Sequence, residues 1–411
     1  LSWYLHVPYC RIRCGYCDFN TYTAAELRDG VAATSWAATA IAEIRLARRV
    51  LAGIDAPAPT VFIGGGTPSL LPPADIAEVL RALHAEFGLA ADAEVTAEAN
   101  PDDVTEDLLD GWAAAGVNRI SLGMQSAVGD TLRVLERTHR AEQLPAVADR
   151  IRRSGISRMS LDLIYGTPGE TAAQWRRSLD AALELRPDHL SAYCLGIEEG
   201  TRLGARLRAG AIAAVDQDAA ADRYTLADEV LAEHGFAWYE ISNWALPGAQ
   251  CRHNLGYWRG ASWWGVGPGA HSHIGGMRWW NARHPSTWTT ALREGRSPGQ
   301  GREILTDEQR REEALLLGIR LSEGLPVDAV PGGRHRVAGW VRDGHAEWLG
   351  TPESQFRLTR AGRLLADRLV LDALTQAAPD GIAGHGAPPY TGTHHHGVPE
   401  LAQERGWEVQ R

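Results

Sequence analysis

Short apolar runs alternate with longer amphipathic ones through the first half of the chain. Strands are predicted at 3–7, 60–63, 94–98, 119–122, 159–164 and 189–195, where apolar residues cluster in stretches of strand length. Helices are predicted over 25–52, 74–87, 105–115, 141–154 and 171–185, where apolar side chains recur three and four residues apart, as Leu108, Leu109 and Trp112 do. Six βα repeats predict an α/β fold: a parallel sheet with helices outside it. Six are too few for a closed eight-stranded barrel, so the expected architecture is a partial, TIM-like (β/α)6 barrel.

The unusual residues fall at the ends of these strands. A cysteine loop, Cys10, Cys14 and Cys17 spaced C-x3-C-x2-C, follows the first. Gly64-Gly65-Gly66-Thr67-Pro68-Ser69 follows the second, and Glu98-Ala99-Asn100-Pro101 ends the third. Gly123-Met124-Gln125-Ser126 follows the fourth. Asp162 and Tyr165-Gly166-Thr167-Pro168-Gly169 end the fifth, and Gly196 follows the sixth. All lie at strand C-termini, the rim that carries the site in βα barrels.

Beyond residue 200 the pattern changes. A helix over 217–234 and a strand at 237–241 precede an aromatic run that includes Trp244, Tyr257, Trp258, Trp263, Trp264, Trp279, Trp280 and Trp288. A smaller helical piece with a hairpin at 346–358 and a last helix after Leu358-Thr359 suits a winged-helix-like module. The expected divisions are a barrel core over 1–200, an aromatic-rich extension over 201–300, a C-terminal domain over 301–374 and a Gly-, Pro- and His-rich flexible tail over 375–411.

Composition narrows the class. The 411 residues are 44% hydrophobic and 22% charged, with a net charge of −10. That balance offers no general attraction to nucleic acid or anionic membrane. All basic residues apart from histidine are arginine, and they are scattered. Five cysteines, three in one motif, do not make a disulfide framework, and a reducing cytoplasm is expected. No apolar run approaches a membrane span, so no membrane anchor is expected. No signal peptide opens the chain. Leu1 already lies in an apolar run, so a short preceding piece is expected to be missing.

Three thiolates at this spacing can hold three corners of a [4Fe–4S] cluster and leave the fourth iron open. A zinc site is the alternative, but zinc usually takes four ligands and only Cys194 and Cys251 remain, each alone. The triple glycine lets a ligand approach the backbone or makes a tight turn. A triphosphate loop would need a lysine, and there is none. Glu98, Gln125 and Asp162 can take hydrogen bonds from ribose hydroxyls or hold a cation, or cap a following helix. Arg137 can reach a carboxylate.

The cysteine motif with Tyr16 before its last cysteine, and GGGTP downstream, resembles the radical S-adenosylmethionine superfamily. Within it, the chain resembles the family of oxygen-independent coproporphyrinogen III oxidases and HemW-type haem chaperones, over residues 1 to 374. Tyr4-Leu5-His6-Val7-Pro8, Gly64–Ser69, Asp162-Leu163-Ile164-Tyr165-Gly166 and Leu358-Thr359-x-x-Gly362 carry the likeness. The resemblance implies that the open iron takes the amino and carboxylate groups of S-adenosylmethionine. An electron from the cluster then breaks the C5′–S bond to give a 5′-deoxyadenosyl radical. Carried over by position, Tyr4, Tyr16, Gly65, Gly66, Thr67, Glu98, Gln125, Arg137, Asp162, Gly196 and His271 would contact S-adenosylmethionine.

Two features divide the family. The oxidases resemble C-x3-C-x2-C-x-C, and Phe19 stands at that last cysteine's place. His253-Asn254-x-x-Tyr257-Trp258 resembles the HNxxYW motif of the chaperones, implying haem held by His253 with aromatic cover from Tyr257 and Trp258. The leading expectation is a haem chaperone that delivers haem to respiratory proteins at the membrane. The alternatives are a coproporphyrinogen III oxidase and a radical enzyme that opens haem. The aromatic-rich region also offers a surface for a homodimer. His394-His395-His396 lies in the tail, outside the resemblance, and is set aside as fortuitous.

Overall fold

The computed structural model describes residues 1–27, 35–53 and 56–375. The expected 25–52 helix thus falls partly, and the tail beyond 375 wholly, outside the described residues.

Twelve strands form one sheet: β1 (Ser2–Val7), β2 (Ala58–Gly65), β3 (Leu89–Ala99), β4 (Arg119–Gln125), β5 (Arg158–Tyr165), β6 (His189–Cys194), β7 (Ala237–Glu240), β8 (Asn243–Ala245), β9 (Trp263–Val266), β10 (His271–Ile274), β11 (Met277–Asn281) and β12 (Gly299–Ile304). Their order is β12-β11-β10-β9-β1-β2-β3-β4-β5-β6-β8-β7. β1 to β6 are parallel and consecutive. Between them lie α1 (Trp36–Val50), α2 (Pro73–Phe87), α3 (Glu106–Ala115), α4 (Gly129–Val134), α5 (Leu144–Arg153) and α6 (Ala172–Glu184). This is the expected partial α/β barrel, with more sheet on both flanks than the periodicity showed. β8 and β7 run antiparallel beyond β6. β9 joins β1 in parallel, and β10 to β12 continue antiparallel. These strands are short and rich in Gly, Trp and His, so no strand period stands out in the sequence.

The two faces of each parallel strand have different jobs. On β1, Trp3, Leu5 and Val7 join the main core with Trp36, Ile44, Leu80 and Trp112, whereas Tyr4 belongs to a separate cluster with Phe62, Tyr257 and Trp263. Sheet-to-helix packing is thus mainly apolar. α3 and α6 begin at Thr105 and Thr171, whose hydroxyls accept from the third residue of the helix.

The second half adds α7 (Arg202–Arg208), α8 (Gln217–Glu233), α9 (Arg252–Trp258) and α10 (Pro285–Arg293). It then adds α11 (Asp307–Gly318), α12 (Gly333–Arg342), α13 (Arg360–Leu364) and α14 (Ala366–Thr375). A small sheet, β13 (Leu325–Pro326), β14 (Ala346–Leu349) and β15 (Gln355–Leu358), packs with α11, α12 and α14 around Leu315, Val337, Trp340 and Phe356. Asp228 of α8 clasps this module to the barrel: it accepts from Trp244 Nε1 at 2.8 Å, Arg360 Nε at 2.5 Å and Arg363 at 2.8 Å.

Glu43 of α1 locks the β9–β12 flank onto the barrel. Its carboxylate is buried and accepts from Gly267 N at 2.9 Å, Asn281 Nδ2 at 2.6 Å and Trp288 Nε1 at 2.7 Å. Burial pushes its carboxyl up to about 7 against these donors. The folded chain therefore keeps this proton where the unfolded chain has lost it. The stability it contributes is complete below the unfolded value and is lost as pH rises to about 7. Glu43→Ala leaves three buried donors without an acceptor and should cost about 2–4 kcal/mol. It should also remove this part of the slope, both read from urea unfolding followed by tryptophan fluorescence on either side of pH 7.

Candidate functional site

The cysteine loop leaves the top of β1 and folds back on itself. Tyr22 N donates to Pro8 O at 2.7 Å, and Cys10 N to Tyr22 O at 3.0 Å. Gly15 N donates to Leu135 O at 3.3 Å and Leu203 N to Gly15 O at 2.8 Å, tying the loop's middle to two rim segments. Cys10, Cys14 and Cys17 are partly exposed and line one cavity of about 370 Å³ that runs from the loop into the barrel. Burial raises the Cys10 thiol and pushes Cys17 up to about 12, so without a positively charged centre beside them both keep their protons. Among the described residues no three metal-ligating side chains converge on one ion position, as a mononuclear zinc site requires.

The triple glycine is explained by close approach to this loop. A Cβ at Gly65, whose φ is +110°, would lie 2.4 Å from His6 Nδ1. One at Gly66 would lie 2.5 Å from Tyr9 O. Gly66 N and Thr67 N donate to Val7 O and Tyr9 O at 2.7 and 2.8 Å. Glycine lets β2 seat the cysteine loop, and Gly64 and Gly65 lie within β2 rather than after it.

Deeper in the cavity, polar side chains from successive strands face inward. Glu98 accepts from Gly65 N at 3.0 Å. Arg137 donates to Cys14 Sγ at 3.4 Å, Asn100 Oδ1 at 2.6 Å and Gly123 O at 3.0 Å, while its buried Nε has no partner. Gln125 holds a left-handed backbone, φ +59°, at the end of β4, a strain that clusters at functional sites. Asp162 takes Ser121 Oγ on both oxygens, at 3.1 and 3.0 Å. Burial, then the charge of Glu98, pushes its carboxyl up to about 6. Arg119, His189, Ser160, Ser191, Tyr193 and Tyr239 also line the wall and had not been singled out. Apart from Tyr239, their signal was present as polar residues on the alternate positions of three strands, 119-121-125 with Gly123 between, 160-162 and 189-191-193.

The HNxxYW stretch forms the floor. Glu94 of β3 accepts from Arg252 N and His253 N, both at 3.0 Å, at the start of α9. His253 Nδ1 meets Thr60 Oγ1 at 2.7 Å and Nε2 meets Tyr257 OH at 2.9 Å. Asn254 donates to Glu240 Oε1 at 2.9 Å. Both ring nitrogens of His253 carry hydrogen bonds, and the residue is 2% exposed at the inner end of the cavity.

The structure gathers Cys10, Cys14, Tyr16, Cys17, Gly65, Gly66, Thr67, Glu98, Gln125, Arg137, Asp162, His253, Asn254 and Tyr257 around the cavity, with Phe19 in the same wall. It leaves Tyr4, Gly196, Trp258 and His271 outside the lining. Tyr4 is buried behind it, stacked on Phe62 and bonded to His6 Nδ1 at 3.0 Å. Gly196 follows β6 without facing in. Trp258 turns toward Arg320, whose guanidinium sits 5.9 Å from its ring. His271 is exposed on β10. The cavity fits an iron–sulfur cluster and a polar cofactor: three thiols at one end, and beside them the unpartnered Arg137 Nε among acceptors.

A parallel barrel with this cysteine loop on its rim defines a radical S-adenosylmethionine protein, and the Radical SAM superfamily profile matches residues 4–182. That superfamily implies a [4Fe–4S] cluster and S-adenosylmethionine. The chain is 47% identical to the heme chaperone HemW of Mycobacterium tuberculosis over 369 residues, 89% of this chain and 93% of that one. HemW of Synechocystis is 36% identical over 80% of each chain. A zebrafish relative, radical S-adenosyl methionine domain-containing protein 1, mitochondrial, is 36% identical over 79% of this chain and 73% of its own. The solved structure of Escherichia coli coproporphyrinogen III oxidase HemN matches with a TM-score of 0.75 over 90% of this chain and 89% of that one, at 22% identity, which shows the shared fold. This chain belongs to the HemW family.

His253→Ala should strip partners from Thr60 and Tyr257 in the floor and cost about 2–4 kcal/mol. The expected result is a lower urea midpoint for the cluster-loaded protein, checked against Trp258→Phe, which leaves the His253 bonds intact.

Proposed function

We propose that this chain is a haem chaperone: it binds haem, carries a [4Fe–4S] cluster with S-adenosylmethionine, and passes haem to respiratory proteins at the membrane. The observation that carries this reading is the 47% identity across 93% of a relative named heme chaperone HemW. Phe19 supports it, because a phenyl ring in the cavity wall cannot replace the extra cysteine that the oxidases resemble. Among the described residues no helix is long and apolar enough to cross a membrane, so meeting a membrane acceptor would go through that partner.

In this reading Cys10, Cys14 and Cys17 hold the cluster. The cluster, when present, supplies an open coordination position and an electron. Glu98 and Asp162 accept hydrogen bonds from hydroxyl or amino groups of S-adenosylmethionine. The spare Nε of Arg137 donates to an anionic group, and Gln125 offers its amide. The backbone of Gly65 and Gly66 stays close to the loop and positions it. Tyr16 packs beside Leu135, Ile164, Leu195 and Leu203 and keeps water from the cysteines.

The test is an anaerobic incubation of the reconstituted protein with S-adenosylmethionine, a reductant and coproporphyrinogen III, followed by separation of tetrapyrroles. No protoporphyrinogen is expected from protein with an intact cluster. Product over many turnovers would make the chain an oxidase despite Phe19, and new open-chain products from haem would make it a haem-cleaving enzyme. Haem loaded on the protein should instead move unchanged to an apo-cytochrome, and failure to bind haem at all would sink the chaperone reading.

A further inference from the structure

Three arginines line the cavity, Arg11, Arg119 and Arg137. Arg11, at the cysteine loop, is ion-paired with Asp103 at 2.8 Å. Arg137 is bonded to Cys14, Asn100 and Gly123, and its spare Nε serves S-adenosylmethionine in the function proposed above.

Arg119 is different. It opens β4, so its side chain enters the cavity at the end opposite the cysteine loop. The residue is 3% exposed. Its Nη1 donates to Ala249 O at 3.0 Å, and among the described residues that is its one hydrogen bond, with no carboxylate oxygen within 4.0 Å of its nitrogens. The acids around it are engaged elsewhere. Glu94 accepts from Arg252 N and His253 N, and Asp162 accepts from Ser121. Burial, then the charge of Arg119, holds the neighbouring His189 well below its usual range, so that ring stays neutral. A guanidinium keeps its charge at any ordinary pH, and a buried charge is costly unless it is paired. An unpaired buried guanidinium in a cavity wall is therefore built for an anion. Nε and Nη2, the pair that Ala249 does not engage, can donate side by side to the two oxygens of a carboxylate.

S-adenosylmethionine brings one carboxylate, at the cluster end. Haem brings two more, its propionates. Ala249, which Arg119 grips, stands four residues before His253 in the segment that leads into α9. The guanidinium and the HNxxYW stretch thus meet at one end of the cavity. Resting on the haem-carrying function proposed above, we infer that Arg119 is a carboxylate-binding residue at the inner end of the cavity and that it takes a haem propionate there. The contact selects tetrapyrroles whose propionates are free, because a capped propionate leaves the buried charge without its partner. No bond is made or broken in this step.

The test uses the full chain with its cluster reconstituted, under anaerobic conditions. Hemin and hemin dimethyl ester, in which both propionates are capped, are titrated separately in the same detergent buffer, and S-adenosylmethionine is titrated by calorimetry. The unaltered chain should bind hemin about tenfold or more tighter than the diester. Arg119→Gln should bring hemin down to the level of the diester and leave S-adenosylmethionine binding unchanged, and Arg119→Lys should restore part of the difference. Arg11→Gln should keep all of it. The ratio is taken within one protein, so a general loss of stability does not imitate the effect. Equal binding of hemin and diester by the unaltered chain would overturn the propionate contact and leave haem carriage standing, as would a ratio retained in Arg119→Gln or lost in Arg11→Gln alone. Weakened S-adenosylmethionine binding by Arg119→Gln with the hemin preference intact would give the carboxylate to that cofactor and overturn the inference. No haem binding by the unaltered chain would overturn the haem-carrying function and this inference with it.

Discussion

A polar group taken out of water must find a partner, and the inner face of this sheet carries polar side chains from rim to floor beside Phe62 and Ile164. Most of the rest of the molecule follows from that. Glu98 is met by the backbone of Gly65, Asp162 by Ser121, His189 by Ser160 at 2.7 Å and Tyr239 at 2.8 Å, and Arg119 by Ala249 O at 3.0 Å. The outer face can then be largely apolar and pack Trp3, Trp36, Trp112, Trp175 and their neighbours between sheet and helices. Stability resides in the outer layer and ligand chemistry in the inner one. The same strand residues serve both because side chains alternate across a sheet.

The lower end shows how far that constraint reaches. A parallel barrel leaves the N-terminal ends of its strands open, and water entering there would weaken every charge inside. α9 stops the opening, and its residues are chosen for bonds: Glu94 satisfies the helix's first amides, His253 bridges Thr60 and Tyr257, and Asn254 reaches Glu240. The His253-Asn254-x-x-Tyr257-Trp258 stretch is hydrogen-bonded into the base of the cavity. Spacing in a sequence does not reveal whether an imidazole's nitrogens are already spoken for.

That contrast marks what could be read in advance. The six βα repeats and the rim were legible because apolar residues cluster at strand length between amphipathic helices and because Cys10, Gly65, Glu98, Gln125 and Asp162 all fall at or near strand C-termini. The inner wall was half legible: Ser121, Ser160, His189 and Ser191 keep a two-residue period that passes unnoticed beside the louder motifs. The β9–β12 flank was not legible. Its strands are four to six residues long, and its Gly-Gly and Trp-Trp pairs obscure alternation. The triple glycine was legible as special, but for a different reason: a Cβ at Gly65 would lie 2.4 Å from His6 of β1, and one at Gly66 2.5 Å from Tyr9 O where the loop begins.

The flank also changes what the cysteine loop can communicate with. Asn20, three residues past Cys17, donates to Pro268 O at 3.0 Å and Arg283 O at 2.9 Å, and Tyr22 OH reaches Arg283 O at 3.2 Å. Pro268 stands just before β10 and Arg283 just after β11, so the loop that presents three thiols is pinned to both ends of the hairpin of β10 and β11. A ligand that rigidifies the loop would thereby restrict that hairpin, and a weight on the hairpin would be felt at the loop.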